Sequence, residues 1–138
     1  METLKVKDYM DNHAVKFSPE MSLSAALDKV MKSNHMGGPV VDADGKVIGF
    51  ISEQDLLANL MKVAYTSQET HIVSDCMYKE VLSVSPDLGI FELAAMMKVG
   101  KPKVYPVVDK GKLLGIITRR DVLTAIGKAL ETSFKNQL

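Results

Sequence analysis

The sequence predicts an α+β protein written twice from one short unit, and three observations predict it. Val6, Asp8 and Met10 return 67 positions later as Val73, Asp75 and Met77, Ser18-Pro19 returns as Ser85-Pro86, and Pro39-Val40-Val41-Asp42 returns as Pro106-Val107-Val108-Asp109. Within each copy, an apolar pattern of helical period precedes two β-rich runs set around an Asp/Gly/Lys turn. The register slips by one residue at that turn, "DADGK" against "DKGK", and then Gly49, Ile51, Asp55 and Leu57 match Gly115, Ile117, Asp121 and Leu123. A turn is where a duplicated unit tolerates a deletion.

In the first copy a short helical turn over "VKDYM" leads to a strand near "AVKF", and Ser18-Pro19 breaks the chain. A helix follows, because Leu23, Ala26, Leu27, Val30 and Met31 recur at i, i+3, i+4, i+7 and i+8 and form one apolar stripe facing a core. Ile90, Leu93, Ala94 and Met97 keep most of that stripe in the second copy. The methionines on it read as core filler. "PVVDADGKVIGFIS" and "YPVVDKGKLLGIIT" are then hairpins. A second helix closes each copy. In the second it can run to the C-terminus with Val122, Leu123, Ile126, Leu130 and Phe134 near one face, a stripe that either the chain itself or a partner can cover. The copies span residues 4–60 and 71–127. A polar linker over 61–70 joins them, and a helical extension follows over 128–138.

Composition bounds what such a chain can do. With 138 residues, 46% apolar and 25% charged, it has the make-up of an ordinary packed domain. Its 17 basic residues balance 17 acidic ones, so no overall positive field exists to hold nucleic acid or an anionic membrane. No apolar run approaches the roughly 18 to 20 residues of a membrane span and the first residues carry no secretory pattern, so the expected compartment is the cytoplasm. A single cysteine, Cys76, excludes an internal disulfide, and His13, His35 and His71 lack metal-ligand spacing. Cys76 reads as a small buried thiol, since no histidine is placed as its base, and His35 and His71 read as solvated. With no nucleophile triad, metal cluster or Gly-rich phosphate loop, the sequence offers no catalytic residue.

One phrase occurs in both copies, "GFISEQD" at 49–55 and "GIITRRD" at 115–121. A hydroxyl residue with an acid three positions on, ahead of an apolar helix, is close to a capping box. The same place suits a ligand. A helix start favours phosphate, a hydroxyl can donate to it, and a carboxylate one turn on can accept from two ribose hydroxyls. Gly49 and Gly115 fit a backbone that passes close to something. Between hydroxyl and acid the second copy carries Arg119-Arg120, where the first carries Glu53-Gln54. A phosphate beside Glu53 loses attraction where it should gain it, so the two places are expected to differ. Arg119 reads as a solvated first-turn residue, and Arg120 as either that or an anion partner.

The order of Ser-Pro break, amphipathic helix, "PVVD", turn glycine and "GII(S/T)xxD(L/V)L" resembles the cystathionine-β-synthase (CBS) domain family over nearly the whole chain, twice. The resemblance implies two pseudo-symmetric β-α-β-β-α repeats packed through their sheets, a stand-alone Bateman module. It also implies adenosine-containing ligands, AMP, ADP, ATP or S-adenosylmethionine, held in clefts between repeats, with no required cofactor. By position it makes Asp55 and Asp121 the ribose acids and Ser52 and Thr118 the motif hydroxyls, with Arg120 beside the second acid. The segments before the prolines, His35-Met36-Gly37-Gly38 and Lys101-Pro102-Lys103-Val104-Tyr105, become the base pockets. Ligand residues are thus expected at Gly37, Gly38, Ser52, Asp55, Lys103, Val104, Tyr105, Thr118, Arg120 and Asp121, with Lys103 as a phosphate-facing cation and the stronger phosphate site at Thr118/Asp121. The expected role is regulatory and non-catalytic, in a homodimer that acts on an unknown protein in trans. The alternative is a dimerisation or interaction module that uses no ligand.

Overall fold

The computed structural model of the chain describes residues 4–66 and 71–136, the side chains of 134–136 excepted. Residues 67–70 of the expected linker, the last two residues of the expected extension and the Phe134 side chain lie outside the described residues. A one-turn 3-10 helix at Val6–Asp8 is followed by α1 (Leu23–Lys32), β1 (Gly37–Val41), β2 (Val47–Ser52) and α2 (Glu53–Thr66). Then come α3 (Val73–Cys76), α4 (Ile90–Met96), β3 (Val104–Asp109), β4 (Lys112–Thr118) and α5 (Arg119–Asn136). β1 pairs with β2 and β3 with β4, giving two two-stranded sheets. This is the mixed α+β architecture the sequence predicts, with a short sheet in each copy. Among the described residues no helix is long and apolar enough to cross a membrane.

The strand expected near "AVKF" is a single bridge. Phe17 pairs in parallel with Val40, its N–H donating to the Pro39 carbonyl (3.0 Å) and its carbonyl accepting from the Val41 N–H (2.9 Å). The next rung in one direction would need an N–H from Pro39 and in the other an N–H from Pro19. Proline has none, so the ladder stops on both sides. The second copy repeats this at Val84, bonded to the Pro106 carbonyl and the Val108 N–H at 2.9 Å each, between Pro86 and Pro106. The one-residue deletion also changes the hairpin turns. Asp42 Oδ1 accepts from the Asp44 and Lys46 amides in the first, whereas Lys110 (φ 53°) and Gly111 (φ 80°) alone join β3 to β4. Two successive positive φ values are those of a type I′ turn, whose twist matches the strands it joins.

The compact units are not the sequence copies. One comprises residues 13–66, 71–82 and Lys110–Leu113; the other comprises 4–12, Ser83–Asp109 and 114–136. The opening segment of each copy therefore lies in the unit that holds the other copy's hairpin. In the unit with the second hairpin, the Val6 and Lys7 amides donate to the Leu88 and Pro86 carbonyls (2.9 Å each), and Asp11 and Ile116 exchange bonds of 2.8 and 3.1 Å. In the unit with the first, Val73 and Ser74 donate to Met21 and Pro19 (2.8 and 2.9 Å), while Tyr78 and Phe50 exchange bonds of 2.8 Å.

Gly49 and Gly115 permit these approaches. A Cβ on Gly115 would fall on the Asp11 carbonyl oxygen, with Asp11 C at 3.1 Å and Asn12 Cα at 3.3 Å; one on Gly49 would lie 2.5 Å from Met77 Sδ and 3.1 Å from the Tyr78 carbonyl oxygen. The close neighbour that the sequence requires at these glycines is the chain's own opening segment.

Each unit has its own core. Phe17, Leu23, Ala26, Val30, Val40, Ile51, Leu56 and Val73 form one. Val6, Val84, Ile90, Leu93, Tyr105, Val107, Ile117, Val122 and Ala125 form the other. The aromatic ring changes sides between them. In the first core Phe17 packs where Gly38 leaves room, its ring 3.1 Å from a Cβ built there; in the second, the matching pair is Val84 and Tyr105. The helical stripes are narrower than the sequence suggests. Leu23, Ala26 and Val30 are buried, but Met31 is 62% exposed, so it is not core filler. On α5, Val122 is buried while Leu123 and Leu130 face solvent. The 100° step per residue turns i+4 and i+8 progressively away from a face centred on i, i+3 and i+7.

Candidate functional site

Both copies of the phrase form a strand-to-helix junction, and both junctions close as reciprocal caps. Asp55 Oδ2 accepts from the Ser52 N–H (3.1 Å) and the Asp55 N–H donates to Ser52 Oγ (3.1 Å). Asp121 Oδ2 accepts from the Thr118 N–H (2.8 Å) and the Asp121 N–H donates to Thr118 Oγ1 (3.1 Å). The capping box is thus real in both, and each uses only one carboxylate oxygen. Oδ1 of Asp55 and of Asp121 has no hydrogen-bond partner among the described residues and both side chains are half-buried. Cap and ligand acceptor can coexist in one residue because a carboxylate has two oxygens with about four lone-pair sites.

A second backbone tie brings the segments before the prolines to these junctions. The Glu53 N–H donates to the Met36 carbonyl and the Arg119 N–H to the Lys103 carbonyl, each at 2.8 Å. Gly37, Gly38, Ser52 and Asp55 are thereby assembled in one unit, with Gly37 paired to Ser52 across the sheet. Lys103, Val104, Thr118, Arg120 and Asp121 are assembled in the other. A Cβ on Gly37 would fall on the Ile51 carbonyl oxygen and its φ is 150°, so only glycine fits that edge. Tyr105 is fully buried, and its hydroxyl has no hydrogen-bond partner among the described residues. Its side chain is a core group of its unit, and burial raises its pKa.

The helix starts offer fewer amides than the sequence suggests. Of the first three N–H groups of α2 and of α5, the first is taken by the backbone tie and the third by the cap. An anion at either helix start would therefore depend on side chains, and these differ. Arg119, Arg120 and Lys103 are exposed and form no ion pair among the described residues. Glu53 and Gln54 occupy the matching first turn of α2. The hydroxyls differ as well. Ser52 Oγ donates to Asp55 Oδ2 at 2.9 Å, whereas the Thr118 hydroxyl proton has no acceptor among the described residues.

One neighbour was hidden from the sequence by the exchange of opening segments. Cys76, on α3, is half-buried in the unit that contains Asp55. Burial, then Asp75, then Asp55 push its pKa up, with Lys62 pulling the other way. It is a protonated thiol in a negative local field, the opposite of an activated nucleophile. In the other unit Tyr9 takes the equivalent position, with Lys128 Nζ 5.7 Å from its ring centre. His35 and His71, expected to be solvated, are half-buried. Among the described residues no group of three His, Cys, Asp or Glu could hold a metal ion.

The CBS domain model matches residues 6–62 and 73–128. A CBS domain-containing protein of Dictyostelium discoideum is 30% identical over 135 residues, covering 91% of this chain and 93% of that one. An A-adding tRNA nucleotidyltransferase of Aquifex aeolicus is 29% identical over 128 residues; the match covers 93% of this chain but only 15% of that enzyme. Among solved structures, CBSX2 of Arabidopsis thaliana in complex with AMP is 29% identical with a TM-score of 0.78, covering 91% of this chain and 98% of that one.

Proposed function

This chain belongs to the CBS domain family as a tandem pair of repeats, and on that premise we propose that it is a non-catalytic regulatory module for adenosine-containing ligands such as AMP, ADP, ATP or S-adenosylmethionine. The observation that carries the reading is the division of labour in Asp121. One oxygen holds the cap, while the other is left for ribose hydroxyls beside a Thr118 hydroxyl with a proton to give. Arg120 and Lys103, exposed and without an ion pair among the described residues, are the cations a phosphate would meet, so this is the stronger phosphate site and Ser52/Asp55 the weaker. Gly37, Gly38 and Val104 would pass the base along the backbone edge, and Tyr105 would support that edge from the core. The AMP complex of a relative 29% identical supports the ligand class.

A homodimer is part of the proposal. Leu57, Met61 and Tyr65 are 63%, 49% and 84% exposed at i, i+4 and i+8 on α2. A stripe of that kind is self-complementary about a two-fold axis. Occupancy would shift the equilibrium between arrangements of the repeats and so signal, in the cytoplasm, to a protein controlled in trans. The same stripe favours the second reading, a dimerisation module that uses no ligand.

Thermal melts with AMP, ADP, ATP and S-adenosylmethionine separate the two. A ligand at about a hundred times its dissociation constant adds roughly 2.7 kcal/mol, or about 8 °C in a domain of this size. Asp121→Ala should melt lower by itself, through its lost cap, and should no longer respond to AMP. No shift with any adenosine ligand, or an undiminished shift in the variant, favours the ligand-free module.

A further inference from the structure

Resting on the adenosine reading above, we infer that the Ser52/Asp55 site selects a nucleoside whose 5′ substituent is positively charged, a sulfonium or an amine, and rejects a 5′-phosphate. If Asp55 Oδ1 holds the ribose, the 5′ group lies along the first turn of the following helix. In α2 that turn carries Glu53, exposed and without an ion pair among the described residues, where α5 carries Arg119. The hydroxyl that would donate to a phosphate is already spent, since Ser52 Oγ gives its proton to Asp55 Oδ2. The segment tied to this junction, Ser33 to Met36, contains no Lys or Arg, and the preceding Lys32 is paired with Asp28 at 2.9 Å. On the α3 side stand Asp75 and Cys76, and the thiol there feels the carboxylates of Asp75 and Asp55 more than the ammonium of Lys62.

Glu53 thus stands beside Asp55 where Arg119, Arg120 and Lys103 stand about Asp121, while Asp75 has its counterpart in Asp8 of the other unit and does not set the two apart. The two copies share a fold and a ribose acid, and the sign of charge beside the ribose is inverted between them. An unpaired carboxylate near the 5′ group attracts a cation and repels a phosphate, and the preference weakens as salt screens it.

The test is calorimetry on the full chain carrying Asp121→Ala, which silences the other site. The probes are adenosine, AMP, S-adenosylmethionine and S-adenosylhomocysteine, the last two differing by the methyl group that makes the sulfur a sulfonium. S-adenosylmethionine is expected to bind about tenfold tighter than S-adenosylhomocysteine, with AMP weakest. Glu53→Gln should narrow that ratio to about threefold, and Glu53→Arg should invert the order of S-adenosylmethionine and AMP. Equal binding of the sulfonium and its neutral analogue, tighter binding of AMP, or indifference to both Glu53 variants overturns the charge assignment while adenosine binding upholds its parent. Absence of heat from all four probes in the wild-type chain as well overturns both.

Discussion

Replacing Gly115 by alanine distinguishes two reasons for a glycine ahead of the Thr118/Asp121 junction. If the glycine makes room for a ligand, the variant folds normally and loses its ligand response. The structure assigns the room to the chain itself, because the added Cβ would fall on the Asp11 carbonyl oxygen, with Asn12 Cα at 3.3 Å, and neither is the movable end of a side chain. Overpacking against backbone costs about 1 to 3 kcal/mol. Pushing residue 11 away also weakens the paired bonds between Asp11 and Ile116 (2.8 and 3.1 Å), each contributing about 0.5 to 1.5 kcal/mol. The expected loss is about 2 to 5 kcal/mol, read by urea and thermal unfolding, with the melting temperature lower by about 10 °C. Gly127→Ala is the control. Gly127 lies within α5 with nothing within 4 Å of its built Cβ, and alanine there should stabilise by about 0.5 to 1 kcal/mol. A Gly115→Ala protein that melts within about 2 °C of wild type would refute the argument.

Tyr105→Phe removes a buried hydroxyl with no partner among the described residues and should stabilise the ligand-free chain by about 1 kcal/mol. Because burial raises the phenol's pKa, the folded state keeps that proton longer than the unfolded one, and wild-type stability should fall as pH rises past the ordinary phenol range. The Phe variant should lose that part of the slope, and a destabilised variant would show that the hydroxyl has a partner. Cys76 should react with a disulfide reagent more slowly than a free thiol at neutral pH, and Asp75→Asn should speed it by removing the carboxylate that raises its pKa most; a slower variant would contradict the field described. Val6→Ala should cost about 2 kcal/mol and lower hydrogen-exchange protection in β3 and β4, whose core it shares. Loss confined to β1 and β2, the hairpin of its own sequence copy, would refute the exchange of opening segments.

The sequence carried the helices, hairpins and caps because each depends on near neighbours. Ser52 and Asp55 lie three residues apart, and the pattern of hydroxyl and acid contains its own geometry. The strand expected at "AVKF" failed for a reason that was already written in the chain. Pro19 and Pro39 remove the N–H groups on either side of Phe17, though only the parallel register shows that those two were needed. The exchange of opening segments was not legible. Val6 and Val73 are the same residue in the same local context, and either could fill either core. Nor could repeat matching reveal that Phe17 with Gly38 and Val84 with Tyr105 are alternative ways to place one ring, because position by position they look like unrelated substitutions. The negative field at Cys76 was hidden for the same reason, since Cys76 and Asp55 belong to different copies and meet only through the exchange.

Under the proposed function, the capping of Asp55 and Asp121 is a condition of ligand binding and not its rival. A carboxylate at the start of an exposed helix would ordinarily sample several rotamers, and ordering it for a ligand would cost part of the binding energy. The amide of residue 52 or 118 already fixes that rotamer through Oδ2, so Oδ1 is aimed before any ligand arrives. The tie from the Met36 or Lys103 carbonyl fixes the facing segment in the same way. What remains free to vary between the copies is the pair of residues inside the cap loop, Glu53-Gln54 or Arg119-Arg120, which carry the charge without touching the cap. A duplicated junction of this kind can keep its frame unchanged while the sign of its ligand diverges, because frame and charge reside in different residues of the same turn.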